Sequence, residues 1–441
     1  MTASIEAPSV WLTTLGCAKN EVDSDKILGM LDAAGYQHAA SPGAADVVMV
    51  NTCAFIEPAR RESVDTILDL AEEKRDDASL VVLGCMAQRY ESELVEALPE
   101  ADAIIGLDRY PELVDRLDDL RRWTPLSIGS ARRSHMDILY ETRRPTPATP
   151  WAYLKVAEGC DKLCTFCAIP QFRGKQRSRS PESIVEETTG LVGSGVTEIG
   201  LVAQDLAAYG RDTGEGEIVG LVRAVAAVEG LRRVRLFYLY PREIRPALVE
   251  EMISNERIAD YFDLSLQHSS AGLLRAMKRP GSGDTHRRLI ESIRLKSPEA
   301  ALRSSFIVGF PGETDDDVED LADFLNEARL DWAGFFPYSA EDGTPAATME
   351  NQVPEAEKAE RTRYLQSLQD DITTGQTIAQ VGRTLEVVVD QIEDGQTVAR
   401  SYREAPEIDG VVLLDRGEPG DWLNATVTGG YGTDLTATVV G

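Results

Sequence analysis

The six cysteines of this sequence are the residues whose types and spacing are best suited to chemistry, and they fall into two groups of three. Thiolates bind metals and iron–sulfur clusters, whereas a disulfide framework needs a higher cysteine density than six in 441 residues. One group is widely spaced and the other forms a tight C-x3-C-x2-C motif. The N-terminal trio is Cys17, Cys53 and Cys85, and the central trio is Cys160, Cys164 and Cys167.

Three thiolates leave a metal centre incomplete. A closed structural zinc site needs four ligands, and cubane iron–sulfur clusters commonly take four cysteines. No fourth cysteine lies near the central trio, so one iron of a cubane there would be open to a substrate molecule. A zinc site completed by a histidine is the alternative, and the candidate histidines are His38, His135, His268 and His286.

The N-terminal trio follows three short apolar runs that predict buried parallel strands. Helical patterns at about 21–34 and 57–74 alternate with these runs, so residues 9 to about 120 are predicted to form an open α/β sheet. Ligands bind beyond the carboxyl ends of such strands, and the three cysteines are therefore expected to converge. Buried structural cysteine is the alternative. The predicted strands are Val10–Leu15, Val47–Val50 and Leu80–Leu83.

Six further strand-like runs separated by helical patterns predict a parallel, TIM-like (β/α)6 partial barrel, because a complete one needs eight units. The central trio lies in the loop after the first of these strands. A polar helix at about 355–379 precedes short alternating runs, which predict a small antiparallel β-barrel. The predicted domains are 9–125, a Pro- and Arg-rich linker at 126–150, 151–374 and 376–441. The six strands are Tyr153–Val156, Glu198–Val202, Val234–Leu239, Phe262–Leu266, Ser304–Val308 and Trp332–Phe336.

The segment from Cys160 to Cys167 resembles the radical S-adenosylmethionine signature, including the aromatic Phe166 before the last cysteine. The arrangement of three domains resembles the methylthiotransferases of that family, whose C-terminal barrel is a TRAM domain. Similar passages lie at 168–170, 173–174, 177–179 and 307–314. The resemblance implies two [4Fe-4S] clusters, one on each cysteine trio, and S-adenosylmethionine bound to the open iron of the central cluster. It implies no catalytic residue beyond the cluster ligands.

Four further residues are candidates for cofactor binding. Phe166 belongs to the cluster loop, and the resemblance implies that Gln204 and Asp205, at the end of the second barrel strand, contact the amino group of S-adenosylmethionine. A polar strand end is the alternative. Arg173 opens a basic run that either pairs with carboxylates of S-adenosylmethionine or substrate, or forms a solvated loop. His268 is predicted to be structural. The basic run is Arg173, Lys175, Arg177 and Arg179.

The charge of the chain helps to distinguish between the candidate substrates, RNA and a basic protein. The chain carries a net charge of −29, and the segment 376–441 has four arginines against eleven Asp and Glu, a net charge of −7. A phosphate backbone requires cationic groups, so RNA binding by this barrel is not expected, whereas a basic ribosomal protein is complementary to it. Charge that serves only solubility is the alternative. Motifs at 202–205, 239–241 and 266–268 are also more similar to the protein-modifying branch of the family.

The predicted function is therefore the addition of a methylthio group to the β-carbon of an aspartate in small-subunit ribosomal protein S-twelve. The resemblance suggests a flavodoxin-like or ferredoxin-like electron donor. Residues 1–10 lack the pattern of an export signal, and no later run has the apolar length of a membrane span, so a cytoplasmic location is expected. The alternatives are the same chemistry on transfer-RNA adenosine and a non-catalytic iron–sulfur carrier or scaffold.

Overall fold

The computed structural model describes residues 7–122, 140–214 and 217–440. These residues form two compact units. The first unit comprises Met1–Thr146, Glu158–Asp161 and Cys167–Gln176, and the second comprises Pro147–Ala157, Lys162–Phe166 and Arg177–Gly441. Most of the predicted linker, residues 126–139, lies outside the described residues, and the predicted domain boundaries stay a prediction.

An open parallel sheet organises the first unit, as the sequence predicts, and it has five strands, two more than the three predicted. Its central strand Val47–Thr52 is buried along its whole length. The strand order reverses between the first and third strands of the chain, which creates a crevice of the kind that binds ligands in open α/β sheets. In spatial order the strands are Gln37–His38, Ser9–Thr14, Val47–Thr52, Ser79–Leu83 and Ala103–Gly106.

Helices cover this sheet and complete its apolar core. Ile27 and Ile67 are fully buried in that core. Ala168 and Phe172, which follow the central trio in the chain, belong to the same core. The α-helices are Ala18–Ala33, Glu57–Glu73, Gly84–Arg89, Glu91–Ala97, Leu113–Arg122 and Ile169–Phe172, and the 3-10 helices are Pro42–Ala44 and Leu107–Glu112.

Six parallel strands in sequence order form the partial barrel of the second unit within the described residues. Two three-stranded sheets are joined by the parallel bridges Val234–Ile258 and Leu239–Leu264. The strands are Trp151–Lys155, Glu198–Val202, Arg233–Leu236, Tyr261–Gln267, Ala301–Val308 and Trp332–Pro337. Two short strands, Ala157–Glu158 and Arg177–Ser178, pair with each other on either side of the cluster loop, and the second of them lies within the basic run.

The helices between these strands begin where local sequence signals place them. Ser180 accepts a hydrogen bond from the backbone N–H of Ser183, as expected of an N-cap, and Thr314 forms a capping box with Asp317. The α-helices are Pro181–Gly193, Ile218–Ala226, Pro246–Ser254, Ala271–Ala276, Gly283–Lys296 and Asp315–Ala328, and the 3-10 helices are Leu206–Ala208, Pro241–Glu243 and Pro345–Thr348.

The long helix Glu355–Ile378 leads into a closed five-stranded barrel, as predicted. One detail differs from the prediction: the barrel is not wholly antiparallel, because Val412–Leu414 pairs in parallel with Asp434–Val439. The segment from 401 to 411 leaves the barrel wall between two strands, so these strands are not joined by a tight hairpin. The strands are Thr384–Glu393, Gln396–Arg400, Val412–Leu414, Trp422–Tyr431 and Asp434–Val439.

The segment 401–411, which we call the plug loop, packs against residues in or just before the first halves of the parallel strands. Tyr153 donates to the Pro406 carbonyl at 2.9 Å, and the Tyr261 hydroxyl donates to Asp409 at 2.7 Å. Arg403 pairs with Asp331 at 2.6 Å. The C-terminal barrel is thus attached at the edge opposite the carboxyl ends of the strands.

Glu198 is the centre of a buried ionic cluster at this contact. Its carboxylate accepts from Arg400 of the C-terminal barrel at 3.1 Å, and from Arg235 and Arg233 at 3.1 and 3.3 Å. Arg400 also pairs with Asp390 at 2.5 Å. Burial opposes ionisation of Glu198, but the three arginines hold its pKa at about 2. Arg400 of the barrel and Glu198 of the parallel sheet are therefore buried as partners of one another across this contact.

His286 makes the stability of the second unit sensitive to acid. It is buried beside Phe324, and burial, together with the charges of Arg279 and Arg287, lowers its pKa from 6.5 to about 4. Because His286 binds a proton less readily in the folded protein than in the unfolded chain, the folded state loses stability as pH falls from 6.5 to 4. We expect a loss of about 3 kcal/mol across that window.

Urea unfolding at pH 7.0 and 4.5 measures this loss. The variant His286→Gln should lack this part of the pH dependence. An equal pH dependence in the wild type and His286→Gln would show that His286 does not contribute.

No helix among the described residues has both the length and the apolar character needed to cross a membrane.

Candidate active site

The N-terminal trio lies at the carboxyl ends of three adjacent parallel strands. Cys17 caps the start of the helix Ala18–Ala33, Cys53 follows the strand Val47–Thr52, and Cys85 lies in the first turn of Gly84–Arg89. Cys53 and Cys85 are buried and Cys17 is partly exposed. The strands that precede Cys17 and Cys53 are the pair between which the strand order reverses. The fold therefore brings the three thiols to one crevice.

The three thiols influence one another electrostatically. Burial and the neighbouring Cys17 raise the pKa of Cys53 to about 11. Burial raises the pKa of Cys85 to about 12, although the charge of Arg173 opposes this. Desolvation disfavours the thiolate of Cys17 as well, but Lys19 and Arg173 hold its pKa below the ordinary value. Two of the thiols would thus keep their protons until a metal replaces them.

Two glycines leave room beside these thiols. A Cβ on Gly16 would stand 2.8 Å from Cβ and 2.9 Å from Sγ of Cys53, and one on Gly84 would stand 2.4 Å from Oδ1 of Asn51. Both glycines have positive φ angles, +98° and +94°. The turns that present the cysteines therefore require glycine for both space and conformation.

The donor set fits an iron–sulfur cluster. In the parts of the chain that the structure describes, no three His, Cys, Asp or Glu side chains stand at the spacing of a preformed metal site. The trio nevertheless supplies three thiols and no histidine ligand, in a crevice with a buried cation, Arg173, to balance thiolate charge. Such soft ligands suit iron–sulfur clusters or zinc, and three of them leave one coordination position open.

The start of the central cluster loop is held against the segment 174–176 of the first unit. Gly159 approaches that segment so closely that a Cβ would lie 2.1 Å from the Lys175 carbonyl oxygen. The Cys160 N–H donates to the Gly174 carbonyl at 3.1 Å, and the Gln176 N–H donates to Asp161 at 3.2 Å. The backbone around Cys160 is thereby fixed.

The middle of the same loop is held within the second unit. The Thr165 N–H donates to the Met277 carbonyl at 3.2 Å, and Phe166 packs against an apolar cluster that includes Leu273 and Phe310. Nη1 of Arg279 lies 3.6 Å from Sγ of Cys164. Phe166 is thus placed as an anchor of the loop, and its predicted contact with a cofactor stays a prediction.

An ionic network lies at the carboxyl ends of the first three barrel strands. Nζ of Lys162 lies 3.3 Å from the buried Asp205 carboxylate and 2.5 Å from Glu243. Burial raises the pKa of Asp205, and Lys162 only partly offsets this. Tyr240 lies under both Lys162 and Arg279, with ring-centroid distances of 4.7 and 4.2 Å. Asp205 is therefore in the position where barrel enzymes bind their ligands.

The sequence identifies Asp205 and its neighbour Gln204 but not the cations around them. Gln204 follows the strand Glu198–Val202 and is partly buried. The signal that could have identified Lys162 is its position inside the cysteine motif. No local sequence pattern identifies Arg279, because it is more than 110 residues from Cys164 in the chain.

His268 is held by its own loop and lies beside Glu313, and its predicted structural role stays a prediction. It is completely buried, and its Nδ1 accepts hydrogen bonds from the N–H groups of Ser269 and Ser270 at 2.9 and 3.0 Å. Nδ1 is therefore the unprotonated nitrogen, which leaves the proton on Nε2, 3.5 Å from Glu313. Glu313 in turn accepts from the Gly309 N–H at 2.8 Å. The pair stabilises the glycine turn 309–313.

The four residues of the basic run lie in different environments, two of them exposed and two buried. Lys175 and Arg177 are exposed. Arg179 is buried, pairs with Glu187 at 2.7 Å and donates to the Lys155 carbonyl at 2.9 Å. Arg173 is buried in the first unit and contacts Cys85 of the N-terminal trio. The predicted contacts of this run with carboxylates of S-adenosylmethionine or substrate stay a prediction.

Comparison with known proteins places these features in a family. Residues 9–106 match the uncharacterized protein family UPF0004, residues 154–325 match the Radical SAM superfamily, and residues 381–440 match the TRAM domain. The ribosomal protein uS12 methylthiotransferase RimO of Streptomyces coelicolor is 41% identical over 477 residues, covering 98% of this chain and 97% of that protein. RimO of Moorella thermoacetica is 44% identical over 414 residues, with 93% of each chain covered.

The chain belongs to the RimO family. As a RimO protein it is a radical SAM methylthiotransferase, and its cofactors are S-adenosylmethionine and two [4Fe-4S] clusters, which confirms the prediction. Among solved structures, the radical S-adenosylmethionine methyltransferase TsrM from Kitasatospora setae is 14% identical and covers 75% of each chain with a TM-score of 0.52. That similarity shows a shared fold. The α/β architecture and the TRAM barrel of RimO are thus as predicted.

Proposed function

We propose that this protein adds a methylthio group to the β-carbon of an aspartate in ribosomal protein uS12, the small-subunit protein S-twelve. The observation that supports this most is that Cys17, Cys53 and Cys85 come together at one crevice in a chain that also carries the radical SAM motif. RimO relatives that match over nearly the whole chain are named as uS12 methylthiotransferases.

The six cysteines are proposed to hold the two clusters. When bound, these clusters and S-adenosylmethionine supply the radical that removes hydrogen and the methylthio group that replaces it. Asp205, buried and carrying a carboxylate at the strand ends, would hold the amino group of S-adenosylmethionine by accepting its hydrogen bonds. Arg279 donates toward Cys164 and fixes the middle of the cluster loop. Phe166 anchors that loop by packing against the apolar cluster that includes Leu273 and Phe310.

The surface of the C-terminal barrel supports a basic protein as the substrate. Of its four arginines, Arg400 and Arg403 are buried in ion pairs with acidic partners. Seven acidic side chains, by contrast, are exposed: Glu386, Glu393, Asp394, Glu407, Asp415, Glu418 and Asp421. Against these seven stand the exposed Arg416 and the half-buried Arg383, so the exposed surface of the barrel is acidic, and it would attract a cationic protein and repel RNA.

We further propose a cytoplasmic location and a flavodoxin-like or ferredoxin-like electron donor, as the sequence suggests. The lack of a membrane-spanning helix among the described residues is compatible with this location.

Mass spectrometry of ribosomal proteins from cells with and without the gene tests the substrate. We expect one aspartyl peptide of uS12 to lose the mass difference between SCH3 and H when the gene is deleted. An unchanged uS12 with a lost methylthio group on transfer RNA would contradict the proposal and favour the alternative branch. In a gel-shift titration, transfer-RNA affinity that falls steeply with salt would do the same.

A further inference from the structure

A buried arginine, Arg173, connects the N-terminal trio to the central cluster loop within the first unit. Its Nη2 lies 3.1 Å from Sγ of Cys85 and 2.6 Å from Oδ1 of Asn20. Its Nη1 lies 2.8 Å from Glu158 and 3.2 Å from Asp23. These partners come from distant parts of the chain, and 88 residues separate Arg173 from Cys85.

The charge of Arg173 is balanced by two carboxylates that bind the same side of its guanidinium. The guanidinium is 4% exposed, and the Glu158 and Asp23 side chains are each 1% exposed. Burying an unpaired charge costs a large amount of free energy, and here the two carboxylates that pair with the guanidinium both bind Nη1. Nη2 is therefore directed away from them, toward the thiol and the amide oxygen. Lysine cannot form this arrangement, because an ammonium is a single point whereas guanidinium presents separate donors in a fixed plane.

The contact with Cys85 becomes a directed hydrogen bond when the cysteine is a ligand. A metal-bound cysteine is a thiolate, which accepts and does not donate. Arg173 is then the donor, because arginine has no acceptor. Hydrogen bonds to cluster sulfurs raise the reduction potential, and so does nearby positive charge.

We propose that Arg173 is a positioning residue for the N-terminal cluster, which donates an N–H···S hydrogen bond to the Cys85 thiolate and raises the reduction potential of that cluster. This inference rests on the proposed function, since it requires a cluster on Cys17, Cys53 and Cys85. The same guanidinium holds Glu158, two residues before Cys160. The loop that carries the central trio is thus tied to the ligand environment of the N-terminal cluster through one side chain.

The experiment isolates the N-terminal cluster in the full chain by changing Cys160, Cys164 and Cys167 to alanine. After anaerobic reconstitution, a redox titration followed by electron paramagnetic resonance gives the midpoint potential. In this background Arg173→Gln should lower the ratio of reduced to oxidised cluster about tenfold at a fixed potential. For a one-electron couple, this corresponds to a midpoint potential that is lower by about 59 mV. Arg173→Lys should give a smaller decrease, because it keeps the charge and loses the hydrogen bond.

Arg179→Gln is the matched control, because Arg179 is an equally buried arginine of the same basic run that pairs with Glu187 instead. It should leave the potential unchanged. A cluster in Arg173→Gln that loads fully and titrates at the parent potential would overturn the proposal.

A second measurement does not depend on whether Arg173→Gln retains iron. Pulsed electron paramagnetic resonance of the reduced N-terminal cluster, in protein labelled with 15N-arginine, should show a 15N coupling that is lost in Arg173→Lys. Absence of any 15N coupling in the parent overturns the role of Arg173. Absence of a cluster from the parent itself contradicts the proposed function instead, so the two failures are distinguishable.

Discussion

Replacement of Cys17, Cys53 and Cys85 by alanine should abolish methylthio transfer to uS12 while leaving cleavage of S-adenosylmethionine intact. The two cysteine trios lie in different parts of the chain, and the N-terminal trio is proposed to hold the cluster from which sulfur is delivered. The variant should therefore retain one of the two [4Fe-4S] clusters, the one on the central trio, and still form 5′-deoxyadenosine under reducing conditions. We expect product formation to fall below detection.

Three measurements on the same sample test this expectation: iron content, 5′-deoxyadenosine and the mass of the uS12 peptide. Ser63→Ala is the control, because Ser63 donates and accepts hydrogen bonds next to Cys53 but carries no ligand atom for a cluster. It should lower stability more than product yield. Methylthio transfer that survives the triple replacement would show that the N-terminal trio has no part in the reaction.

Removal of the Glu198 carboxylate should cause the second large effect, a loss of folding stability. In Glu198→Ala, three buried arginines lose their common partner: Arg233, Arg235 and Arg400. Breaking a buried ion pair in this way costs about 3–5 kcal/mol, because the charges left behind are uncompensated. Urea unfolding at pH 7 of anaerobically prepared protein measures the cost.

A neighbouring ion pair across the same contact provides the control. Arg232 and Glu386 are 2.7 Å apart and about half exposed, at 46% and 52%. Glu386→Ala should therefore cost about 0–1 kcal/mol. Equal losses in Glu198→Ala and Glu386→Ala would show that the Glu198 cluster does not stabilise the fold.

The same cluster has a predictable dependence on pH. The arginines hold the pKa of Glu198 at about 2, below its ordinary 4.5, despite burial. A carboxyl group with a depressed pKa stabilises the fold above 4.5, and that contribution is lost as pH falls toward 2. The difference in unfolding free energy between the wild type and Glu198→Ala should consequently narrow over this window.

The parts of the fold that the sequence predicts well are those with a strong local pattern. The strand Glu198–Val202 and the helix start after Ser180 agree with the predicted positions, because apolar runs and capping residues act locally. The edge strands of the first sheet have weaker signals. Gln37–His38 has two residues, both exposed, and Ala103–Gly106 has four. Neither was predicted.

The cysteines of the N-terminal trio could be predicted to form a site because they are metal-binding residues and each follows a recognisable strand. The cysteines follow predicted strands, and the topology of an α/β sheet then brings them together. Their arginine partners were not predictable in this way. The sequence places Arg173 in a basic run that either binds carboxylates or forms a solvated loop, and it does not indicate the contact of Arg173 with Cys85 or that of Arg279 with Cys164. Both contacts depend on packing between segments that are far apart in the chain.

The plug loop has a consequence for engineering and for the evolution of the family. The starts of the parallel strands carry charged side chains that would face water or an apolar surface if the C-terminal barrel were absent or exchanged. A new barrel can be grafted here only when its loop presents matching charges, so the barrel cannot be exchanged independently of the parallel strands that it contacts. Chimeras that transplant residues 384–440 together with the strand-start residues 198, 233, 235, 303 and 331 are the ones that should retain a folded catalytic body.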